Sequence, residues 1–218
     1  MTATQRFSSR NMASLFIVVL IGLGIGQALQ STAQIGRDVS ANPTARAALL
    51  DDISPSRVVG TPTLTVVVFT DYQCPACKVA DPAMEAAVAK DGHIRLVYRD
   101  WPIFGAMSER AARIAIAADR QGIYPKLHRL LMSERRMLDD RILREAVERS
   151  GGSWMQIEKD LSAHSDEIDR QLNRNKTDAF ALGIAGTPAY LIGPVLVTGA
   201  QKEAGFTRAF AEARSAAP

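Results

Sequence analysis

The 218-residue chain has only two cysteines, three histidines and two tryptophans, and aromatic residues make up 6% of it. Two cysteines cannot build the disulfide framework of a small secreted scaffold. They are also too few for a four-thiolate zinc site. His93, His128 and His164 are scattered without ligand spacing, so each reads as an ordinary surface or core residue. Charge of one sign is lacking too: 26 Lys+Arg stand against 23 Asp+Glu, a formal charge of +3. Arg6 and Arg10 are the only charged residues among the first 33, so the rest of the chain carries 24 against 23. No basic stripe with interleaved aromatics runs along the sequence, and a nucleic-acid partner is excluded on that ground. A hydrophobic content of 47% with 22% charged residues is that of an ordinary globular protein. A domain of this size buries about 70% of its unfolded surface and needs no covalent staples.

Long apolar runs are scarce, with one exception. Met12 to Gly26 is an uncharged run of 15 residues that follows Arg6 and Arg10. It is long for a signal-peptide core and short of the about 20 residues that a free-standing span needs. Gly26-Gln27-Ala28 and Ser31-Thr32-Ala33 offer small residues at cleavage positions, while continuation through Gln30 suits an uncleaved anchor. Residues 1–33 are therefore read as a signal peptide or a membrane anchor. Either keeps the positive flank inside and carries the remainder out of the cytoplasm. The expected location is periplasmic or otherwise extracytoplasmic, soluble after cleavage or tethered to the inner membrane.

Residues 34–62 read as a linker with one short helix. Asn42-Pro43-Thr44 marks its start, Ala45 to Ile53 carries apolar residues at helical spacing, and Ser54-Pro55 and Gly60-Thr61-Pro62 stop it. Residues 63–214 read as one α/β domain. Leu64 to Thr70 is a continuous β-branched and aromatic run suited to a central strand buried on both faces. A helix follows from Pro75 to about Lys90, then a second strand over His93 to Tyr98. Further helices are predicted over 109–121, 124–132, 139–149 and 165–182. Ala189 to Ile192 and Val195 to Thr198 form a hairpin around Gly193-Pro194, and Lys202 to Arg214 closes the chain. This order places a helical insertion, at about 105–175, inside a small sheet domain.

The two cysteines are Cys74 and Cys77, in Cys74-Pro75-Ala76-Cys77. A disulfide closing so short a loop gains little from chain entropy, so the pair suits cycling better than stapling. Directly after a buried strand and at a helix start, Cys74 meets unsatisfied backbone N–H groups and the positive end of the helix dipole. Both favour the thiolate, which is the nucleophile. Cys77, one helical turn on, is placed to attack a mixed disulfide formed at Cys74. Two thiolates also suit Cu(I), so a copper-binding module is the alternative from another class. Met84 and Met107 read better as core filler than as copper ligands.

Three blocks, Val67 to Lys78, Val97 to Pro102 and Gly183 to Tyr190, carry a resemblance to the thioredoxin-fold, DsbA-like disulfide oxidoreductases. The resemblance spans roughly residues 45 to 214. It implies a thioredoxin fold with a helical insertion between the halves of its sheet domain. It also implies that Pro188 is cis, and that Thr187 and Pro188 lie against Cys74 and present backbone groups to an extended substrate. Two departures stand out. Family members often carry a proton-shuttling acid six residues before the first cysteine, where this chain has Val68, so a nearby water or another group must serve. Strongly oxidising members have His between the cysteines, where this chain has Ala76, so a weaker oxidant is expected. Asp71 reads as a helix-start residue and Lys78 as a solvated lysine.

The function so implied is an exported thiol–disulfide oxidoreductase acting as a disulfide donor, with isomerase or reductase of the same fold as the alternative. Its substrates would be exported proteins with thiols or disulfides, and a membrane redox partner would recycle the pair. No organic cofactor and no metal are implied.

Overall fold

The computed structural model describes residues 35–216; the segment read as a signal or anchor lies outside them. Among the described residues, no helix is long and apolar enough to cross a membrane. The elements run β1 (Arg37–Asp38), α1 (Pro43–Leu49), β2 (Ser56–Val59), β3 (Leu64–Thr70), α2 (Pro75–Asp91) and β4 (Ile94–Asp100). They continue α3 (Ala106–Asp119), α4 (Tyr124–Ser133), α5 (Asp140–Arg149), α6 (Trp154–Ala163), α7 (Ser165–Ala181), β5 (Ala189–Ile192), β6 (Val195–Thr198) and α8 (Glu203–Ser215).

The strands form one mixed sheet in the order β1-β6-β5-β3-β4-β2. β3 and β4 are parallel, with Val67 opposite Val97, and β5 runs antiparallel to β3, with Val68 opposite Tyr190. Alternation along β3 explains its unbroken apolar run, because both faces are covered. Leu64, Val66 and Val68 join the core with Met84 and Val88 of α2 and with Phe206 and Phe210 of α8. Val67 and Phe69 face the other way, onto Ala45 and Ala48 of α1, Trp101, and Ala179 and Leu182 at the end of α7. The architecture is α/β with a thioredoxin-like fold, and helices α3 to α7 stand between β4 and β5.

The segment 34–62 differs from its reading as a linker. It supplies both edge strands as well as the helix: β1 pairs with β6, and β2 pairs with β4 from Ser56↔Val97 to Val59↔Ile94. At two and four residues, with every residue exposed or half-buried, these strands show no apolar alternation for a sequence to reveal. Gly60 ends β2 at φ +58°, and a Cβ there would stand 2.2 Å from the Gly92 carbonyl oxygen. Helix α6 is a second element absent from the sequence reading. Ser153 caps it, its side chain accepting from the Gln156 N–H.

A buried charge cluster locks the insertion onto the sheet. Arg99 of β4 meets Asp51 at 2.9 Å and Asp178 of α7 at 3.3 Å, and donates to Asn175 Oδ1 at 3.0 Å. Asn175 in turn donates to the Asp100 carbonyl at 2.9 Å. Breaking one partner of such a buried pair costs about 3–5 kcal/mol, so the cluster fixes where α7 and the following loop deliver Thr187.

Candidate active site

β3 ends at Thr70 and the chain turns through Asp71 to Gln73 into α2, whose N-cap is Cys74. Pro75 takes the first helical position, where its missing N–H costs nothing. The Cys74 sulfur accepts the Cys77 backbone N–H at 3.3 Å, as a helix-capping oxygen would. Each cysteine retains 2% of its surface, so Cys74 is more covered than an outward-lying sulfur would be. Their surroundings separate them: Cys74 borders exposed Pro75 and half-buried Thr187, whereas Cys77 faces a small interior cavity.

The loop before β5 closes the site from the far side of the insertion. The Thr187–Pro188 bond is cis. The Cys74 thiol donates to the Thr187 carbonyl at 3.3 Å, across 113 residues of sequence. The Thr187 hydroxyl, buried and with no geometric hydrogen-bond partner among the described residues, favours the ionised form of both sulfurs.

The two thiols have opposite acidities. A hydrogen bond from Cys77 lowers the Cys74 pKa to about 6 against the desolvation that would raise it, with further help from Thr187 and the backbone N–H groups of Cys77 and Ala76. The same contact and deeper burial push the Cys77 pKa up. One sulfur is thus poised to ionise and the other to stay protonated. Lys78 is not the solvated residue expected. Its ammonium donates to the Glu134 carbonyl at 2.8 Å, and burial lowers its pKa.

Asp71 does more than start a helix. Its carboxylate accepts from the Gln73 N–H at 2.7 Å, the Ser108 hydroxyl at 2.7 Å, and the Ile103 and Phe104 N–H groups at 2.6 and 3.1 Å. That one buried carboxylate pins the turn before Cys74 to the loop after β4 and to α3. Behind Cys77 lies a polar chain that sequence reasoning missed. Tyr124 donates to both oxygens of Asp100 at 2.9 and 3.0 Å, and Tyr72 donates to the Tyr124 oxygen at 3.2 Å. His128 Nδ1 meets the Tyr72 oxygen at 3.2 Å, and its Nε2 meets Asp81 Oδ1 at 3.2 Å. His128 is 1% exposed, a core histidine with polar partners on both nitrogens. Met84 is buried and Met107 packs against the core. Trp101 and Tyr124 are buried, while Phe104 stays 49% exposed near the site.

Residues 65–211 match the family model of the DSBA-like thioredoxin domain. The chain belongs to the DsbA-like thioredoxin family. Among solved structures it is similar to a thioredoxin-like oxidoreductase from Silicibacter pomeroyi, 32% identical, with a TM-score of 0.74 over 81% of this chain and 99% of that one. It is also similar to a periplasmic thioredoxin-like protein from Salmonella enterica serovar Typhimurium, 30% identical, TM-score 0.71, covering 80% and 98%. Among curated proteins, Na(+)/H(+) antiporter NhaA 3 of Salinispora tropica is 27% identical over 136 residues, 59% of this chain and 20% of that protein. The chain thus spans about one-fifth of the length of the curated relative it matches. The matched domain, residues 65–211, has the DsbA-like thiol–disulfide oxidoreductase fold, and it contains both cysteines, Thr187 and Pro188.

Proposed function

We propose that this protein is an exported thiol–disulfide oxidoreductase that donates disulfides to exported proteins through Cys74 and Cys77. The observation that carries the reading is the opposed acidity of two sulfurs one helical turn apart, Cys74 lowered to about 6 and Cys77 raised. In the oxidised protein a substrate thiolate attacks the Cys74 sulfur, the one that borders the exposed Pro75, and the stable thiolate of Cys74 later eases its departure from the mixed disulfide. The Cys74–Cys77 bond breaks and Cys77 takes the electron pair and a proton. A second substrate thiolate then attacks the substrate sulfur of the mixed disulfide. The substrate leaves oxidised, and Cys74 departs as a thiolate. Thr187 and Pro188 form the rim against which an extended substrate segment lies. The likeness to a periplasmic protein supports the exported location, and the apolar run at residues 12–26 supplies the means, by cleavage or as a tether. A membrane redox partner returns the pair to the disulfide.

A Cys74 pKa of about 6 lies between those of thioredoxin, about 7, and DsbA, about 3.5, which makes this a milder donor than DsbA. The test is the equilibrium potential of the pair against glutathione, measured on the full chain. A value between about −180 and −120 mV is expected of a donor. A value below about −180 mV would assign the protein to shuffling or reduction instead. Failure to exchange with glutathione at all would overturn the enzyme reading and turn attention to Cu(I), and activity that survives Cys74→Ser would overturn the mechanism through Cys74.

A further inference from the structure

In the reaction just proposed Cys77 must gain a proton each time the disulfide opens and lose it each time the disulfide closes. Cys77 lines a small, partly enclosed cavity with about 10 Å³ of room for a water centre, enough for one molecule. Val68 forms one wall, so β3 brings no acid there. The acid comes from α2 instead: Asp81, one turn beyond Cys77, lines the same cavity together with His128, Tyr98 and Tyr190. The Tyr98 hydroxyl is buried at the cavity wall beside the Arg57 guanidinium, with room to accept a water as well.

A buried polar chain ends on Asp81. Burial raises the Asp100 pKa to about 6, so at neutral pH Asp100 is a carboxylate and Tyr124 donates to it. A tyrosine has one hydroxyl hydrogen. With Tyr124 spent on Asp100, its oxygen accepts from Tyr72, and the Tyr72 oxygen meets His128 Nδ1 at 3.2 Å. His128 Nε2 in turn meets Asp81 Oδ1 at 3.2 Å, so the imidazole holds the carboxyl group at the wall of the cavity. The other polar groups around the cavity are less suited to exchange a proton with Cys77. Glu85 of α2 is bound by Arg57 of β2 at 2.7 and 2.8 Å. Tyr98 of β4 and Tyr190 of β5 are kept neutral by burial, and Thr70 of β3 is a hydroxyl beside Cys77.

We propose that Asp81, positioned by His128, is the group that gives Cys77 its proton and takes it back, through one water in the cavity between them. When the Cys74–Cys77 bond breaks, the electron pair stays on the Cys77 sulfur, a proton passes to it from the Asp81–His128 contact, and S–H forms. When a mixed disulfide at Cys74 is resolved, the proton returns to that contact. The Cys77 thiolate attacks Cys74, the new S–S bond forms, and the substrate leaves as a thiolate. The Asp81 side chain is 18% exposed, so the store exchanges with solvent between turnovers.

Reacting the reduced full chain with dithiobis(nitrobenzoate) reads the two sulfurs separately. The first thionitrobenzoate released reports attack by Cys74, and the second reports attack by Cys77 on the mixed disulfide. Asp81→Asn should slow the second release about 10–100-fold near pH 7, the scale of general acid–base catalysis, and leave the first within about twofold. The deficit should close as rising pH lets hydroxide do the work, and Asp81→Glu should restore the rate. His128→Gln removes the positioning residue and should slow the same release, which keeps the test alive if Asp81→Asn fails to fold. Overlapping pH profiles of the second release in wild type and variants would overturn the proton assignment alone. Absence of the second release in the wild type would instead overturn the reading of the cysteines as an exchange pair.

Discussion

The acidity of Cys74 depends first on a contact from Cys77, and removing that contact gives a sharp test of the site. In Cys77→Ala the donor is lost, while the backbone N–H groups of residues 76 and 77 and the Thr187 side chain remain. A hydrogen bond to a charged group is worth about 1.5–3 kcal/mol, and a thiol is a weak donor, so the lower end applies. At 1.36 kcal/mol for each pKa unit that is about one unit, moving Cys74 from about 6 to about 7. At pH 7 the ratio of thiolate to thiol then falls from about ten to about one, while the greater nucleophilicity of the less acidic thiolate offsets the loss in rate, so the titration and not the rate is the readout. Loss of the second sulfur also loosens the packing and eases desolvation, which acts in the opposite direction and is the smaller effect at a half-open helix start. The ultraviolet absorbance of the thiolate, followed against pH, reads the shift directly. A Cys74 pKa that stays near 6 or falls in Cys77→Ala would refute the assignment of Cys77 as its principal stabiliser.

The reduction potential should change slope with pH. Below pH about 6 both thiols are protonated and two protons accompany two electrons, so the potential falls by about 59 mV per pH unit. Above it Cys74 is ionised and the slope halves to about 30 mV, and a straight line from pH 5 to 8 would contradict the low pKa of Cys74. Asp71→Ala leaves three backbone N–H groups and the Ser108 hydroxyl without their acceptor, and should cost about 3 kcal/mol or more in urea unfolding. A loss below about 1 kcal/mol would mean that water replaces the carboxylate. Gly60→Ala combines a φ of +58° with a Cβ 2.2 Å from a backbone oxygen, so a loss of at least about 2 kcal/mol is expected, and near-wild-type stability would show β2 to be dispensable.

What could be read from the sequence was what lies close together along the chain. The strand, the turn and the helix start around Cys74 occupy fewer than about twenty residues, and each has a strong local signature in its β-branched run, its turn residues or its proline. Helices α3, α4, α5 and α7 were legible from apolar spacing, and the β5–β6 hairpin from Gly193-Pro194. The edge strands β1 and β2 were hidden because their order comes from pairing with β6 and β4 and not from their own pattern. Helix α6 buries only Ile157 and Asp160 and leaves Met155 68% exposed, too faint a stripe to stand out after Gly151-Gly152. In the site, Thr187 and Pro188 entered through a family resemblance, since nothing local ties them to Cys74. The Asp100–Tyr124–Tyr72–His128–Asp81 chain joins residues from two strand ends and two helices, with separations of 24 to 56 positions. A buried histidine between a tyrosine and a carboxylate is indistinguishable, in sequence, from one in solvent.

The insertion has a consequence for the order in which the molecule comes into being. β3, the cysteines and β4 are contiguous, but the strand that completes the sheet beside β3 arrives only after residues 101–188 have been made. A chain emerging from its N-terminus therefore exposes Cys74 and Cys77 long before Thr187 can cover them. During that interval the side of β3 that will take β5 is unpaired, and the thiols lack the carbonyl and hydroxyl that later sit beside them. Pairing across such a separation carries a loop-closure cost and is slow compared with forming the helices between. The reactive centre is thus among the last parts of this protein to be finished, and the nascent chain is itself exposed to the thiol chemistry its mature form performs.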